Sequence, residues 1–335
     1  YAVNITVGTP PVQLQVELDT GSSDLWVIST KAPVCKRYNC NIYGVFDKDK
    51  SSSWKSNGTE FGIRYVDGSG NDGGIYGQDT INFGNGLVLN NATFAVANET
   101  VDLVGIMGIS FEFREAATQK YPNIPSLMKL QGYTKKTAYS LYVTDEVKQA
   151  GSILFGGIDH AKYEGELVSL DMVASNGTYR ALQTELTSIK IYENDVAIGI
   201  PFTFDSGADI TIIREDFLEQ IYKVLAPGED FQVYGTLGTY KVPCYLNDSG
   251  NFLSFSFSNK KEIQVPMSEF LLSQETANGI QCGLKISTPS PGLEDHGIFG
   301  VNFLRSVYTV FNLDDKTISL AKVKYSEDER ITAIE

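Results

Sequence analysis

A chain of 335 residues is long enough to bury a large core as two lobes of ordinary domain size. With 42% apolar and only 20% charged residues it is globular rather than disordered. A formal net charge of −14 argues against nucleic-acid or anionic-membrane partners, which need a basic face; basic partners, or plain solubility, are the readings left for an acidic surface.

The chain opens on a strand, Tyr1-Ala2-Val3-Asn4-Ile5-Thr6-Val7, with no leader ahead of it, and so reads as a mature or trimmed form. Short apolar runs, alternating or solid, follow between Gly, Asn, Asp and Ser punctuation; they predict strands at 13–18, 93–97, 140–143, 152–155, 252–257 and 309–311. Helical spacing occurs at 124–130, 215–225 and 268–272, the second opening with acidic residues that suit a helix N-terminus. The pattern is all-β with peripheral helices. No low-complexity linker divides the chain, and the seam is expected near 170–178, where Asn176-Gly177 marks a turn, giving halves of 1–172 and 173–335. No apolar run is long enough to span a bilayer.

The chain says nearly the same thing twice. Val16-Glu17-Leu18-Asp19-Thr20-Gly21-Ser22-Ser23 returns as Phe202-Thr203-Phe204-Asp205-Ser206-Gly207-Ala208-Asp209. A Gly-bounded apolar stretch follows each copy, Gly105-Ile106-Met107-Gly108 and Gly297-Ile298-Phe299-Gly300, 89 residues from Asp to closing Gly in the first (19 to 108) and 95 in the second (205 to 300). One Asp-Thr-Gly alone reads as a turn. Two in matched apolar contexts imply a duplicated lobe that brings one aspartate from each half to a shared centre.

Two carboxylates close enough to share a proton can hold and activate one water, because like charges at that distance cannot both ionise. Asp19 and Asp205 are the candidates. Gly21 and Gly207 let the backbone turn sharply. The Thr20 and Ser206 hydroxyls can cross-link the two loops, and Ser22 can donate to the Asp19 carboxylate. A nucleophilic triad is the rival, but His160 and His296 neighbour neither a Gly-x-Ser-x-Gly elbow nor a reactive-cysteine context. Four cysteines fall as Cys35/Cys40 and Cys244/Cys282, an even count that permits two disulfides, the tight first pair fitting a loop staple. Zinc is the competing reading; there is no Cys-x-x-Cys, and neither a metal nor a cofactor is expected. Six Asn-x-Ser/Thr sequons, at Asn4, Asn57, Asn91, Asn98, Asn176 and Asn247, point with the paired cysteines to the secretory pathway.

On these residues the whole chain resembles the pepsin-like aspartic proteases. Asp19-Thr20-Gly21-Ser22-Ser23-Asp24-Leu25-Trp26-Val27 is similar to the family's first active-site signature, Asp205-Ser206-Gly207 to its second, and Phe303-Leu304-Arg305-Ser306-Val307-Tyr308-Thr309-Val310-Phe311 to its C-terminal block. Phe61-Gly62-Ile63-Arg64-Tyr65-Val66-Asp67-Gly68-Ser69-Gly70 resembles the flap hairpin, which places Tyr65 to hydrogen-bond Trp26. The resemblance implies a bilobal all-β fold of two pseudo-symmetric lobes with a flap over a central cleft, both disulfides, a pro-segment, peptide or protein substrates, inhibition by pepstatin-type compounds and a monomer.

Within the family the chain looks most like the fungal yapsins, with the secreted Candida proteinases second. Phe94-Ala95-Val96-Ala97-Asn98-Glu99-Thr100, Ser140-Leu141-Tyr142-Val143 and Gly151-Ser152-Ile153-Leu154-Phe155-Gly156-Gly157-Ile158-Asp159-His160-Ala161-Lys162-Tyr163 carry that likeness. It implies cleavage after single or paired basic residues, and attachment to the cell surface by a lipid (GPI) anchor, although no Ser/Thr-rich stalk or apolar tail follows Glu335. Asp67, two residues past Tyr65, would accept Lys or Arg through a charge-assisted hydrogen bond; its bland reading is a turn residue before Gly68. Asp209, Asp102 and Glu99 are weaker candidates for acidic subsites, and Leu103 and Ile106 match apolar pocket positions. Ala208 stands where the family has Ser or Thr against the second aspartate, and Val301 where it commonly has Asp. The first change removes a hydrogen bond and raises the carboxyl, the second removes a negative charge and lowers it, so the two oppose each other. The resemblance to renin, which also lacks both polar groups and works near neutrality, implies an optimum less acidic than pepsin's. The Cys35–Cys40 loop is short for a yapsin, and its Lys36-Arg37 pair is a candidate cleavage point whose bland reading is two surface charges. The competing functions are a broad-specificity secreted proteinase, a pepsin-fold protein that binds peptides without cutting them, and a β-sandwich lectin.

Overall fold

The computed structural model describes every residue apart from 66–71, 145–149, 235–237, 277–278 and 290–294. Nearly half the chain is strand, with three α-helices among the described residues. It divides into two compact units, Tyr1–Tyr139 with Ile334–Glu335, and Ser140–Ala333. The anticipated seam at 170–178 lies within the second unit, next to the strand Tyr163–Asp171 that pairs with Thr317–Val323.

The first unit is built on β1 (Ala2–Val7), β2 (Val12–Asp19), β3 (Leu25–Ile28), β4 (Lys55–Ile63), β5 (Asp72–Asn82), β6 (Val88–Glu99) and β7 (Gly105–Gly108). They form one sheet in the order β1-β2-β7-β3-β6-β5-β4, and β1 also pairs with β5 at Thr6↔Asn82 and Val7↔Ile81. In β2, Leu14, Val16 and Leu18 are buried and alternate with Gln13, Gln15 and Glu17, the period of a strand with one face in the core. The solid apolar run in β6 is buried on both faces and pairs in parallel with β3, Trp26 opposite Ala95.

The second unit repeats the centre of this sheet. Its seven strands run in the order Lys261–Pro266, Phe252–Phe257, Gln183–Ile191, Asn194–Phe204, Gly297–Phe299, Thr211–Ile212, Ile286–Ser287. In the first unit β2 pairs in parallel with β7, Val16↔Gly105 through Asp19↔Gly108; in the second, Phe202↔Gly297 through Phe204↔Phe299 do the same. The next strand then returns antiparallel, Trp26↔Ile106 in one and Ile212↔Ile298 in the other. The sequence repeat is therefore a repeat of register.

The helices α1 (Ile124–Leu130) and α2 (Glu215–Leu225) have the expected bounds. Asn123 caps α1 through the Ser126 N–H, and α2 buries Phe217, Leu218, Ile221, Tyr222 and Leu225 along one face. The helix expected at 268–272 is instead a 3₁₀ turn, Met267–Phe270, running into the strand Leu271–Thr276. That strand pairs with Gly279–Leu284, whose Cys282 is tied to Cys244; the pairing overrides a helical spacing only five residues long. A single turn, α3 (Val301–Leu304), was not signalled by the sequence. Both disulfides are present, with Cα separations of 5.2 Å for Cys35–Cys40 and 5.1 Å for Cys244–Cys282.

Candidate active-site loops

Each repeated strand ends in its aspartate. Asp19 closes β2, is 6% exposed, and its backbone oxygen accepts from Ile109 N at 2.9 Å. One carboxylate oxygen accepts from Gly21 N at 2.7 Å and the other from the Ser22 hydroxyl. Asp205 follows Phe204, donates its N–H to Phe299 O at 2.9 Å, and accepts from Gly207 N at 2.9 Å. It is half-buried, and Ala208 beside it has no hydroxyl to offer. Thr20 and Ser206 are buried, while Asp209 is exposed.

The glycines that close the apolar stretches explain the recurring spacing. A Cβ on Gly108 would lie 2.4 Å from Ser23 N, and one on Gly300 would lie 2.5 Å from Ile210 O and 2.6 Å from Ala208 O. In both units the loop after the aspartate crosses so close to the neighbouring strand that only glycine fits.

Behind the first loop lies a polar network that no local pattern announced. Asp24 is 1% exposed; its carboxylate accepts from Tyr76 Oη at 2.7 Å, Tyr121 Oη at 2.8 Å and Ala116 N at 2.6 Å. Ser23 Oγ donates to Phe111 O at 2.6 Å. Beside them Glu115 is buried: Oε2 accepts from Tyr121 N at 2.9 Å and Oε1 has no hydrogen-bond partner among the described residues. Burial, with the charges of Asp24 and Glu112 adding to it, pushes its carboxyl up to about 8.

Trp26 is fully buried, and its indole N–H donates to Tyr65 Oη at 2.8 Å, the expected contact. Phe61, Leu103 and Ile106 pack with Trp26 in the same apolar cluster. Burial raises the Tyr65 phenol above its ordinary value, and Asp19, Asp72 and Asp102 add negative field, so Tyr65 stays a neutral donor. Asp72 is buried; burial raises its carboxyl, with the Asp102 charge adding to this and the Thr100 hydroxyl opposing it. Asp102 is half-buried, its N–H donating to Thr100 Oγ1 at 2.9 Å, and Glu99 is exposed. Asp67 and Gly68, expected to line the flap tip, lie outside the described residues.

The rival histidine has a local role. His160 Nδ1 lies 2.6 Å from Tyr163 Oη and Nε2 lies 2.8 Å from Thr332 Oγ1, a position that ties down the strand Ile331–Ala333. Among the described residues no cluster of His, Cys, Asp and Glu is arranged for a metal, and no helix is long and apolar enough to cross a membrane.

A duplicated strand–loop–glycine unit with an aspartate at each turn, one copy backed by Trp26 and Tyr65, defines a class of protein. The family model for eukaryotic aspartyl proteases matches residues 1–323, and the chain belongs to that family. It is 38% identical over 371 residues to Secreted aspartic protease 7 of Candida albicans, a match covering 100% of this chain and 62% of that protein. It is 36% identical over 342 residues to Candidapepsin-3 of the same species, covering 100% of this chain and 82% of the relative. The chain thus spans just over three-fifths of the length of the first of these relatives.

Proposed function

We propose that this chain is an aspartic endopeptidase in which Asp19 and Asp205 jointly hold a water and activate it against a peptide carbonyl. One carboxylate takes the water's proton as it attacks, and the other, protonated, donates to the carbonyl oxygen. The observation that carries the reading is the matched register. Both aspartates end a strand paired in parallel with a Gly-bounded stretch, and both accept the N–H of the glycine two residues on. Thr20, Ser22 and Ser206 hold the loops, Trp26 orients Tyr65, and Tyr65 closes over substrate, with Leu103 and Ile106 as apolar pocket wall. The repeat supports 1–172 and 173–335 as the two halves of the duplication, one aspartate in each.

The finer reading is a yapsin-type preference for Lys or Arg before the scissile bond, with Asp67 as the main carboxylate and Asp209 secondary. The name of one relative, Secreted aspartic protease 7, supports an extracellular enzyme; the second reading is a broad-specificity secreted proteinase. Monomeric state, a removable pro-segment, N-glycans and a GPI anchor at the cell surface complete the proposal.

Cleavage-site mapping on a mixed peptide library, across about pH 3 to 7 with and without pepstatin, tests it. Pepstatin-sensitive cuts clustered after Lys and Arg, reduced by Asp67→Asn far more than cuts after Leu or Phe, support the yapsin-type reading. Cuts after large apolar residues move the enzyme to the broad proteinases. A folded, processed sample that cuts at no pH removes the endopeptidase reading altogether.

A further inference from the structure

Three large exposed aromatic side chains lie on the segments next to one sequon, Asn247. Tyr245 is 66% exposed, two residues before Asn247, on the 3₁₀ turn Cys244–Leu246. Tyr192, 41% exposed, faces the Asn251 side chain and lies in electrostatic range of Tyr245. Phe252, 46% exposed, precedes Leu253, which pairs with Ile191, so it borders the turn that carries Tyr192. Tyr192 itself has a φ of 54°, a left-handed conformation that bulky residues rarely take, in a two-residue turn between Ile191 and Asn194.

The six sequons differ in what surrounds them. Asn4 lies in the middle of a paired strand, and the hydroxyl residues that follow Asn91 and Asn98, Thr93 and Thr100, are buried. Asn57, within β4, and Asn176, at a turn, are exposed, but neither has an aromatic residue within two positions. Asn247 is exposed as the C-cap of its turn and has Tyr245 at that distance. The turn is set by its own hydroxyl residue: Ser249 Oγ donates to Leu246 O at 2.8 Å and accepts from Asn251 N at 3.2 Å.

We infer that Asn247 carries an N-linked glycan whose innermost sugar packs on Tyr245, with Tyr192 and Phe252 completing the platform, and that this contact stabilises the second unit. The inference rests on the secretory part of the proposed function. An N-acetylglucosamine ring presents an apolar face of polarised C–H groups, the complement of the negative face of an aromatic ring, and attachment two residues away holds it there at little entropic cost. In the attachment step the Asn247 amide nitrogen displaces the lipid diphosphate of a lipid-linked oligosaccharide donor from the anomeric carbon. One N–C bond forms, one C–O bond breaks, and the amide proton leaves with the diphosphate. The glycan then covers apolar surface that otherwise stays in water.

The full chain, made through a yeast secretory pathway, is analysed by glycopeptide mass spectrometry and thermal unfolding as wild type, Tyr245→Ala, Asn247→Gln and the double variant. Asn247 is found modified, Tyr245→Ala lowers the midpoint by about 2–4 °C in the glycosylated chain, and the same change costs less than about 1 °C beside Asn247→Gln. Peptide turnover, measured in parallel, is the same in all four, which separates this inference from the endopeptidase reading. An unmodified Asn247 on a chain glycosylated at other sequons overturns the inference alone. So does a Tyr245→Ala cost that is equal with and without the glycan. A chain modified at no sequon overturns it together with the secretory reading.

Discussion

The two aspartate loops share a backbone and differ in what stands behind it. Behind Asp19 the interior is polar: Asp24 gathers two tyrosine hydroxyls and a backbone N–H, with buried Glu115 alongside. Behind Asp205 the interior is aromatic. Phe299, opposite Phe204 in the register, stacks on Phe303 at 3.9 Å between centroids, and Phe202, Phe255 and Phe257 also pack against it. Leu25 and Trp26 of the first unit are matched by Thr211 and Ile212 in the second, where Thr211 Oγ1 donates to Asn302 Oδ1 at 2.9 Å. One backbone solution has therefore been reached with two interiors. The polar interior holds a carboxyl, Glu115, that burial pushes up to about 8, and the cluster of phenylalanines holds none.

The comparison breaks first at its own premise, that both loops serve one reaction. Asp19→Asn and Asp205→Asn should each lower kcat/KM by about 10³-fold or more, with the double variant little worse than either, since residues acting as a unit are not additive. Independent, additive losses would mean that the two loops do not share a centre. Next in size, Phe299→Ala removes a fully buried ring and should destabilise the second unit by about 3–5 kcal/mol, read by denaturant unfolding. A loss below about 1 kcal/mol would show that the aromatic cluster is not what supports the Asp205 loop.

Glu115 sharpens the contrast through pH. Its carboxyl in the folded chain is pushed up to about 8 from an ordinary 4.5, so between those values the unfolded chain gives up a proton that the folded chain keeps. Stability from this group is present below about pH 4.5 and is lost as pH rises toward about 8. Glu115→Gln should flatten that decline, raising the unfolding midpoint at pH 7 by several degrees and changing it little at pH 4. An unchanged slope would remove Glu115 as the cause. The smallest effect concerns the hydroxyl that only one loop has. Ala208→Ser, by offering Asp205 the kind of contact that Ser22 gives Asp19, should shift the acid limb of the kcat/KM profile downward by a fraction of a pH unit. Ser22→Ala should shift it upward. Shifts of the same sign in the two variants would contradict equivalence of the loops.

Much of this was readable in order along the chain. The strand at 252–257 and the helices at 124–130 and 215–225 have the bounds their periodicity gives, because each carries its core face in its own sequence. The segment at 268–272 does not: its apolar spacing fits a helical turn, but its fate was decided by pairing with Gly279–Leu284. The Asp24 network was equally hidden, since Tyr76 and Tyr121 lie 52 and 97 residues from their acceptor. No local window contains both ends of such a contact.

What the sequence determined by itself is the duplication: two apolar strands ending in Asp-[Thr/Ser]-Gly, each answered by a Gly-bounded stretch, and hence the family. Those signals are short sequence patterns: strand alternation, and glycines where the loop after each aspartate passes closest to the neighbouring strand. What the tertiary structure decided is the environment of each loop, polar and titratable behind Asp19, aromatic behind Asp205. Burial and hydrogen bonding are assembled from strands distant in the chain, and their energies depend on which side chains meet rather than on the order in which they are written.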